Sequence, residues 1–427
     1  MSVATGAEYR REFYHVIGDP YGNGVTDETP FNADYPADPL LSPAGNNWYA
    51  GNYHAGRGSY HVLESFLELN VPFLNSDALG RANLNVAGRA TRYSTSGTVY
   101  TWKIGGTWDT PLDGFRLRAV TSRDVRAPNL SELFAAPISI NVPNVSDPFT
   151  GGSVNIRQNT IGNTELQPEV ARNTEVGIVL SRPSWLPGFS ASVDYYHIKL
   201  NNVISTLSPQ DEINYCFSGI TQLCSAFNLS TANGAQPYVN VQAFNLASYK
   251  TDGFDFEASY QWNRPLGLAG TFTLRGLATN VRSFVTDTGL PGTIPIDQAG
   301  VNTGPTPKWK WLAIESYNTD RFNLTLQQRW FSDGVFGNQY VVCRPGECPV
   351  STNNNPTIDY NFMPGAFYFD VGGSYNLAKK LTAYFKVDNL FNRDPTPSPQ
   401  TNTGVDINPS LYDVLGRMFR VGVRYNF

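Results

Sequence analysis

Long segments of strictly alternating apolar and polar residues recur through most of this 427-residue chain. Clear examples are TVYTWKIGGTW, GFDFEASYQW and the C-terminal RMFRVGVRYNF. A period of two is the pattern of a β-strand with one apolar face. The segments run about 10–13 residues, which exceeds the usual globular strand of about 5–6 and matches what a tilted membrane strand needs. The pattern therefore predicts an all-β fold with strands long enough to cross a membrane.

Short and long connections between these segments alternate along the chain. An outer-membrane barrel sorts its connections in this way, with tight periplasmic turns and long outer loops, whereas a soluble sandwich has no physical reason to do so. One short connection, YSTSG, stands where a long one is expected. The short connections are NSDALG, TPLDG, PSWLPG, NRPLGLAG, NTDR and NLAKK, and the long ones span roughly residues 18–58, 125–169, 205–241, 287–305, 334–364 and 393–414.

We therefore predict a transmembrane antiparallel β-barrel, with about fourteen strands present from the first residues to Phe427. The apolar faces would meet lipid, the polar faces would line the lumen, and Tyr and Trp near strand ends would form aromatic girdles. The alternative is a soluble all-β protein whose aromatic stripes form a core. Two segments fit less well: WKWLAIESY is apolar on both faces, and FSASVDYYHIKL changes register at Tyr195–Tyr196, which we interpret as a β-bulge.

Composition and the absence of known motifs say more about the possible functions of the chain than about its fold. Charged residues make up 16% of the chain, against roughly 25% in soluble domains, and the net charge is −5. An acidic chain of this kind gives no reason to expect a nucleic-acid partner. No run of about 18 apolar residues is present, which excludes helical membrane spans. No HExxH, GxSxG or P-loop motif is present either, so we predict no enzymatic activity, cofactor or metal centre.

Two pairs of cysteines lie within predicted outer loops. Cys216 and Cys224 bracket one short segment, and Cys343 and Cys348 bracket another. Four cysteines allow three connectivities. Local pairing is favoured because each pair lies within one loop, and an oxidising periplasm permits disulfides to form. A zinc site is the rival interpretation, although no CxxC spacing or adjacent histidine supports it. We expect two disulfides that staple the loops.

The first long connection carries two features of possible functional interest. Its acidic stretch, residues 18–39, has oxygen ligands of the kind that calcium prefers, but its spacing fits no EF-hand. Trp48, Tyr49 and Tyr53 follow near the predicted outer rim, where aromatic rings could stack on a sugar or a chelate ring. Packing within an interfacial girdle is the plainer interpretation of the same three residues.

Ordered motifs along most of the chain carry a resemblance to a known family. The chain resembles the C-terminal barrel of TonB-dependent outer-membrane receptors, and the match includes RYSTSGTVYTWKIGGTWDTP and GRMFRVGVRYNF. Within it, Pro128 would end strand pairing and Asn129 would cap the turn that follows. The motif positions are Arg126, Pro128, Asn129, Glu132, Leu133 and Phe134, then Leu166, Pro168 and Glu169, then Asn389, Leu390 and Phe391, and the terminal Phe427.

The resemblance implies an outer-membrane protein of a Gram-negative bacterium that takes up a small nutrient ligand with energy from TonB. It also implies a last strand whose terminal aromatic residue is read by the barrel-insertion machinery. Such receptors hold an amino-terminal plug inside a 22-stranded barrel, and TonB acts on a segment of the plug. Residues 1–427 match the barrel but not the plug, so the chain would be the C-terminal part of a receptor. Closure as a fourteen-stranded barrel is the alternative.

Three functions follow from these observations. The first is the receptor barrel of a TonB-energised importer, here truncated, with outer-membrane lipid and a nutrient of unknown identity as its partners. The second is a passive outer-membrane channel. The third is a secreted, β-rich surface protein.

Overall fold

The fold is dominated by one sheet of long antiparallel strands. The structure is a computed structural model that describes residues 1–18, 48, 52–352, 354–398 and 406–427. Fourteen long strands follow one another in chain order, each hydrogen-bonded to the next. They are β1 (Ser2–Val16), β2 (Gly56–Ser76), β3 (Gly80–Tyr93), β4 (Gly97–Asp109), β5 (Phe115–Arg126), β6 (Glu169–Ser181), β7 (Phe189–Thr206), β8 (Tyr238–Asn263), β9 (Thr271–Asp287), β10 (Trp309–Asn318), β11 (Phe322–Phe331), β12 (Ala366–Ala378), β13 (Leu381–Asp388) and β14 (Met418–Tyr425).

The apolar stripes lie on an exposed face of this sheet and not in a core. On β14, Phe419 is 70% exposed and Val421 is 84% exposed. Tyr100 and Ile104 on β4, and Val176 and Ile178 on β6, are also exposed. In water such a surface would be a large aggregation hazard, whereas in hydrocarbon it is the expected outer face of a membrane barrel. The soluble alternative, with the aromatic stripes enclosed as a core, is therefore wrong.

The six predicted short connections all join neighbouring strands at one end of the sheet. The turn between β2 and β3 contains Gly80, whose φ of 84° is open to glycine at little cost. A Cβ at Gly80 would also lie 2.0 Å from the carbonyl oxygen of Asp109. The YSTSG connection is likewise a tight turn between β3 and β4, at the opposite end. The alternation of short and long connections thus correctly predicted which connections lie at each end of the sheet.

The long connections contain their own small structures. Helix α1 (Leu130–Phe134) precedes a hairpin formed by Ile138–Asp147 and Gly152–Ile161, which we call the loop hairpin. Helix α2 (Pro209–Phe217) lies in the connection between β7 and β8. No helix in the described part of the chain is long and apolar enough to cross a membrane. The remaining elements are short 3₁₀ turns at Thr221–Ala226, Ala232–Gly234 and Pro265–Gly267, and two-residue strands at Asn52–Tyr53, Phe227–Asn228, Ile296–Asp297, Gly334–Val335, Val341–Val342, Thr357–Ile358 and Phe362–Met363.

Buried apolar side chains gather under these outer connections in three clusters. The first joins α1 to β2 and β8, the second joins the loop hairpin to α2 and β8, and the third joins the outer ends of β11 and β12 to the last two long connections. Val62, Ile213 and Met363 are nearly inaccessible members of the three clusters. The outer ends of the strands are therefore capped by packed structure, which the sequence pattern did not predict.

Two details of the sequence interpretation are wrong. No bulge interrupts β7 at Tyr195–Tyr196, because its pairing with β6 and with β8 runs unbroken through both residues. Tyr196 instead faces the inner side of the sheet. The register shift lies in the pairing of β8 with β9, next to Gly253. A Cβ at Gly253 would lie 2.6 Å from the Tyr196 hydroxyl. Strand β14 also ends at Tyr425, two residues before the expected Phe427, which is fully exposed.

Candidate functional site on the inner wall and the outer loops

The polar faces of β2 to β9 line a cavity of about 980 Å³ on the inner side of the sheet. Asp255 alternates with outward-facing Phe254 and Phe256, as a period of two requires. The wall that results is charged and rich in amides, which suits a water-filled or plug-filled lumen better than a hydrocarbon environment. Its polar lining side chains are Asn70, Asn83, Asn85, Lys103, Thr107, Arg116, Arg118, Glu175, Asp194, Tyr196, Asp255 and Thr279.

The charges of this inner wall are largely paired across strands. Arg118 on β5 donates to both carboxylate oxygens of Asp194 on β7, at 2.6 and 2.5 Å. The pair passes over β6 at Gly177. Arg116 binds Asp109 at 2.5 and 3.0 Å in the same bidentate manner. Two parallel hydrogen bonds fix the orientation of each arginine, so the wall presents an ordered polar surface.

Three charged motif residues meet where β5 ends and β6 begins. Arg126 donates to both oxygens of Glu169, at 2.8 and 2.7 Å, and to Glu132 at 3.0 Å. Glu169, which is 6% exposed, also accepts the backbone N–H of Ile204 at 2.9 Å. Asn129 caps α1, because its side chain accepts the N–H of Glu132 while Glu132 accepts the N–H of Asn129. The motif thus fixes α1 against two neighbouring strands.

The apolar members of the same motif fill the first buried cluster. Leu133 and Leu166 are each 1% exposed and pack with Tyr60 and Val62 of β2. Phe134 lies over Gly58, where a Cβ would approach its ring to 2.4 Å. Pro128 and Pro168 are also buried. These positions form a structural clamp, and none of the motif residues named so far belongs to the inner cavity.

The second motif surrounds a buried carboxylate on β12. Asp370, which is 3% exposed, accepts two hydrogen bonds from Arg329, at 2.9 and 3.2 Å, and one from the N–H of Asn389 at 2.8 Å. Asn389 adopts a left-handed conformation with φ 49° and is 1% exposed. The N–H of Leu390 donates to the carbonyl of Phe369 at 2.7 Å, and the Phe391 ring lies 5.0 Å from that of Phe369. This motif therefore ends β13 and turns the chain outward.

The loop hairpin and α2 form the largest packed unit of the outer loops. Ile213 of α2 is inaccessible and lies in the cluster with Ile156 of the hairpin. Glu212 beside it is 1% exposed, and neither carboxylate oxygen has a hydrogen-bond partner among the described residues. Burial, together with the negative charge of Asp211, raises the pKa of Glu212 to about 8. A neutral carboxylic acid is therefore part of the packing at neutral pH.

Both cysteine pairs are disulfide-bonded. Cys216 at the end of α2 is joined to Cys224, with the Cα atoms 5.1 Å apart. Cys343 is joined to Cys348, with the Cα atoms 5.2 Å apart. The first bond anchors α2 to the following 3₁₀ turn, and the second closes an exposed part of the connection between β11 and β12. All four cysteines of the chain are thereby oxidised.

Of the three aromatic residues proposed to face a ligand, two are described. Trp48 is 42% exposed and Tyr53 is 52% exposed, while Tyr49 and the acidic stretch from residue 19 onward lie outside the described residues. Between them, buried Asn52 donates to the carbonyl oxygens of Trp48 at 2.7 Å and of Ser139 at 2.9 Å. The backbone at Trp48 and Tyr53 is thus held beside the loop hairpin, and neither residue lines the inner cavity.

A comparison with known families identifies the sheet. The family described as TonB dependent receptor-like, beta-barrel matches residues 2–390. The chain belongs to the TonB-dependent receptors. It is accordingly an outer-membrane β-barrel protein of the kind found in Gram-negative bacteria. No curated protein matches it in sequence.

Solved TonB-dependent receptors have the same fold as this one. The ferric enterobactin receptor PfeA of Pseudomonas aeruginosa, in a mutant form, aligns with 100% of the chain at 17% identity and a TM-score of 0.61. The siderophore receptor PirA of Acinetobacter baumannii aligns with 100% at 13% identity and a TM-score of 0.61. The copper transporter OprC aligns with 100% at 16% identity and a TM-score of 0.56. The chain spans about half the length of these proteins, namely 51%, 52% and 54%.

The receptor's functional surfaces were only partly visible in the sequence. Alternation identifies Asp194 and Asp255 as inward-facing once one neighbour is known to face lipid, but no motif marks them. No sequence pattern marks Asp370 or Glu212, because their burial depends on contacts between strands and loops that are distant in sequence. The loop hairpin was read only as part of a long connection, although its own alternating residues, ISINV and SVNIRQ, could have indicated it.

Proposed function

We propose that this TonB-dependent receptor barrel takes part in the energised import of a small nutrient across the outer membrane. Its inner wall is the observation that carries this proposal. The inner face of the sheet lines a polar cavity of about 980 Å³ that is bounded by paired charges, while the outer face is apolar. Such a cavity could hold water along a transport route or bind a plug domain. Outer loops stiffened by two disulfides and three buried clusters would form the ligand-binding mouth above it.

We further propose that the fourteen strands are one part of a 22-stranded barrel. Two observations support this. The chain aligns with about half of each solved receptor. Within the described residues, β1 pairs only with β2, and β14 pairs only with β13. Unpaired backbone groups facing hydrocarbon each cost several kcal/mol, so these two edges favour further strands between them.

The partners follow from this assignment. Outer-membrane lipid would cover the apolar face, and β14 with Phe427 would be the segment read by the barrel-insertion machinery. TonB would act on a segment of the plug, which is not part of these fourteen strands. Import would then proceed by a shift in the population of plug states, with the barrel as a rigid scaffold.

Deletion of the coding region from the source bacterium tests the proposal. We expect reduced accumulation of one labelled nutrient from a panel of ferric siderophores, copper, cobalamin, oligosaccharides and peptides. The same reduction should follow removal of TonB or addition of a proton uncoupler, because the uptake is energised. Uptake of every tested nutrient at wild-type rates, or a defect that an uncoupler does not reproduce, would contradict energised import.

A passive channel is the second candidate, because an even number of consecutive antiparallel strands is what stand-alone outer-membrane barrels contain. Planar-bilayer recordings of the 427-residue chain separate the two. A closed fourteen-stranded pore would give stable, reproducible conductance steps. For part of a larger barrel we expect no such steps. Stable conductance would favour the passive channel over the importer.

A further inference from the structure

The charge of the chain is divided unevenly between its outer connections and the rest of the molecule. The six long connections contain eighteen carboxylates, five arginines and no lysine. The remaining residues contain the other eighteen carboxylates and twenty-six of the thirty-one lysines and arginines. The formal charge is therefore −13 on the outer connections and +8 elsewhere, which together give the −5 of the chain. We call the six connections the acidic mouth, namely residues 18–58, 125–169, 205–241, 287–305, 334–364 and 393–414.

The acidic mouth is not neutralised by cations of its own. Among its described residues, every ion pair involves Arg126, which binds Glu132 and Glu169. The segments outside the described residues contain no lysine or arginine. Negative charge therefore stays uncompensated at the outer surface. The exposed carboxylates of the mouth that form no ion pair with a described residue are Glu165, Asp211, Glu347, Asp359, Asp394 and Asp406.

The inner cavity has an excess of the same sign. Its three cations are already paired with carboxylates. Glu175 and Asp255 line the same cavity, and neither forms an ion pair with a described residue. Asp255 lies directly opposite Asp194 of β7, and it accepts the hydroxyl of Thr279 at 2.7 Å. Because like charges placed opposite each other repel, this part of the wall favours a cation in front of it.

Charge spread in this way selects ligands by their sign. The summed potential of a cleft attracts ions of the opposite charge, raises their association rate and repels ions of the same charge. A bare metal ion needs several oxygen ligands gathered at one point. The described part of the chain holds no group of three or more His, Cys, Asp or Glu residues that could bind a metal ion. The distributed carboxylates instead suit an extended ligand with several positive groups.

Exposed aromatic rings accompany the carboxylates of the mouth. Tyr360, which follows Asp359, is 62% exposed, and its ring lies 6.3 Å from that of Phe362. Phe149 and Phe217 are also exposed, and their ring centroids are 5.2 Å apart. The faces of aromatic rings attract ammonium and guanidinium groups. The same surface therefore offers two kinds of group that bind an organic cation.

We propose that the ligand of this receptor is a small organic polycation, namely a basic peptide. The proposal rests on the import function proposed above and names its substrate class. Carboxylates of the mouth bind the ammonium and guanidinium groups of the ligand, and exposed rings cover their faces. Glu175 and Asp255 then offer the same charge on the inner wall. A ferric chelate with net negative charge is repelled at both places.

Equilibrium binding to the receptor, extracted from outer membranes in mild detergent, tests the proposal. The probe is the fluorescently labelled peptide Lys-Gly-Lys-Gly-Lys. Its lysine-acetylated form is the less positively charged comparison, and ferric enterobactin is the anionic one. At about twofold for each exposed charge, we expect D359N/D406N to weaken peptide binding by about fourfold and D359K/D406K by about fifteenfold. Both losses should shrink as salt screens the charges.

The matched controls are D77N/D320N and D77K/D320K, which make the same changes in the periplasmic turns between β2 and β3 and between β10 and β11. Peptide binding should not change in either control, and heat-dependent gel mobility shows whether each variant is folded. Equal losses in the controls, or equal binding of the acetylated peptide or of ferric enterobactin, would overturn the preference for a cation. Saturable binding of calcium or copper ions in place of the peptide would overturn the assignment to an organic ligand.

Binding in detergent needs no energy source, so its failure is distinct from a failure of energised import. If ferric enterobactin binds more tightly than the peptide while nutrient uptake remains sensitive to an uncoupler, import stands and the cationic class is wrong. If the peptide binds as expected and the charge reversals weaken it, the cationic class is supported whether or not uptake proves to be energised.

Discussion

Arg118 and Asp194 face each other across β6, and the strand between them carries Gly177 at the crossing point. A Cβ at Gly177 would lie 1.9 Å from Oδ1 of Asp194 and 3.1 Å from Nε of Arg118. This geometry explains why residue 177 is a glycine. The residue leaves room for an ion pair that ties three strands of the inner wall together.

Substitution of Gly177 by alanine should break this pair. The added methyl group forces Asp194 away from Arg118, and we expect a loss of roughly 2 kcal/mol of unfolding free energy. Denaturant unfolding of the protein in detergent, followed by its heat-dependent gel mobility, measures the loss. Gly276→Ala is the control, because a Cβ at Gly276 meets no atom within 4 Å. Equal stability of the two variants would contradict the proposed role of Gly177.

Neutralising Asp370 should destabilise the outer end of β12 and β13. Asp370→Asn leaves the guanidinium of Arg329 with a weaker partner and turns one acceptor oxygen into a donor facing the N–H of Asn389 or Gln327. Asp370 is buried but the Arg329 side chain is 39% exposed, so we expect a loss of roughly 1–3 kcal/mol of unfolding free energy, below that of a fully buried pair. Hydrogen exchange at Asn389 and Leu390 should therefore become faster. Asp320→Asn, in an exposed turn, provides the control, and a similar change in both variants would show that Asp370 has no special role.

The membrane-spanning part of the fold could be predicted from sequence because it depends on local rules. Alternation assigns each strand residue to the lipid face or the inner face, as for Phe254 and Asp255. Connection length separates the two ends of the sheet. Neither rule needs knowledge of which residues are distant neighbours. The one misplaced bulge, at Tyr195–Tyr196, arose because an aromatic side chain on the inner face breaks the binary pattern without breaking the pairing.

The outer loops could not be predicted in the same way. Glu212 and Ile213 lie next to each other in an amphipathic helix, but the residues that bury them come from the loop hairpin and from β8. Such contacts are set by packing between segments far apart in sequence, for which a single sequence carries no periodic signal.

The two disulfides should act independently, because they lie in different connections. Replacing Cys216 and Cys224 by serine removes a constraint worth roughly 2–3 kcal/mol in the unfolded loop. We expect the segment from α2 to Ala226 to be cleaved faster by added protease, with the barrel strands unaffected. The double replacement of Cys343 and Cys348 should sensitise only its own loop. Cleavage at both sites in either variant would show that the two loops are coupled.

The packing of α2 should weaken as pH rises, because Glu212 is buried as a neutral acid. Its pKa is about 8 in the folded protein, against an ordinary value of 4.5, so the folded loop binds a proton that the unfolded loop releases. Stability is therefore greatest below pH 4.5 and falls until about pH 8, with about 3 kcal/mol lost by pH 7. The protection factors of the α2 amides, which correct exchange rates for their intrinsic rise with pH, should fall across this range. Glu212→Gln should remove this fall, while Glu165→Gln, at an exposed loop position, should retain it. Protection factors that stay constant with pH in the native protein would contradict this account of Glu212.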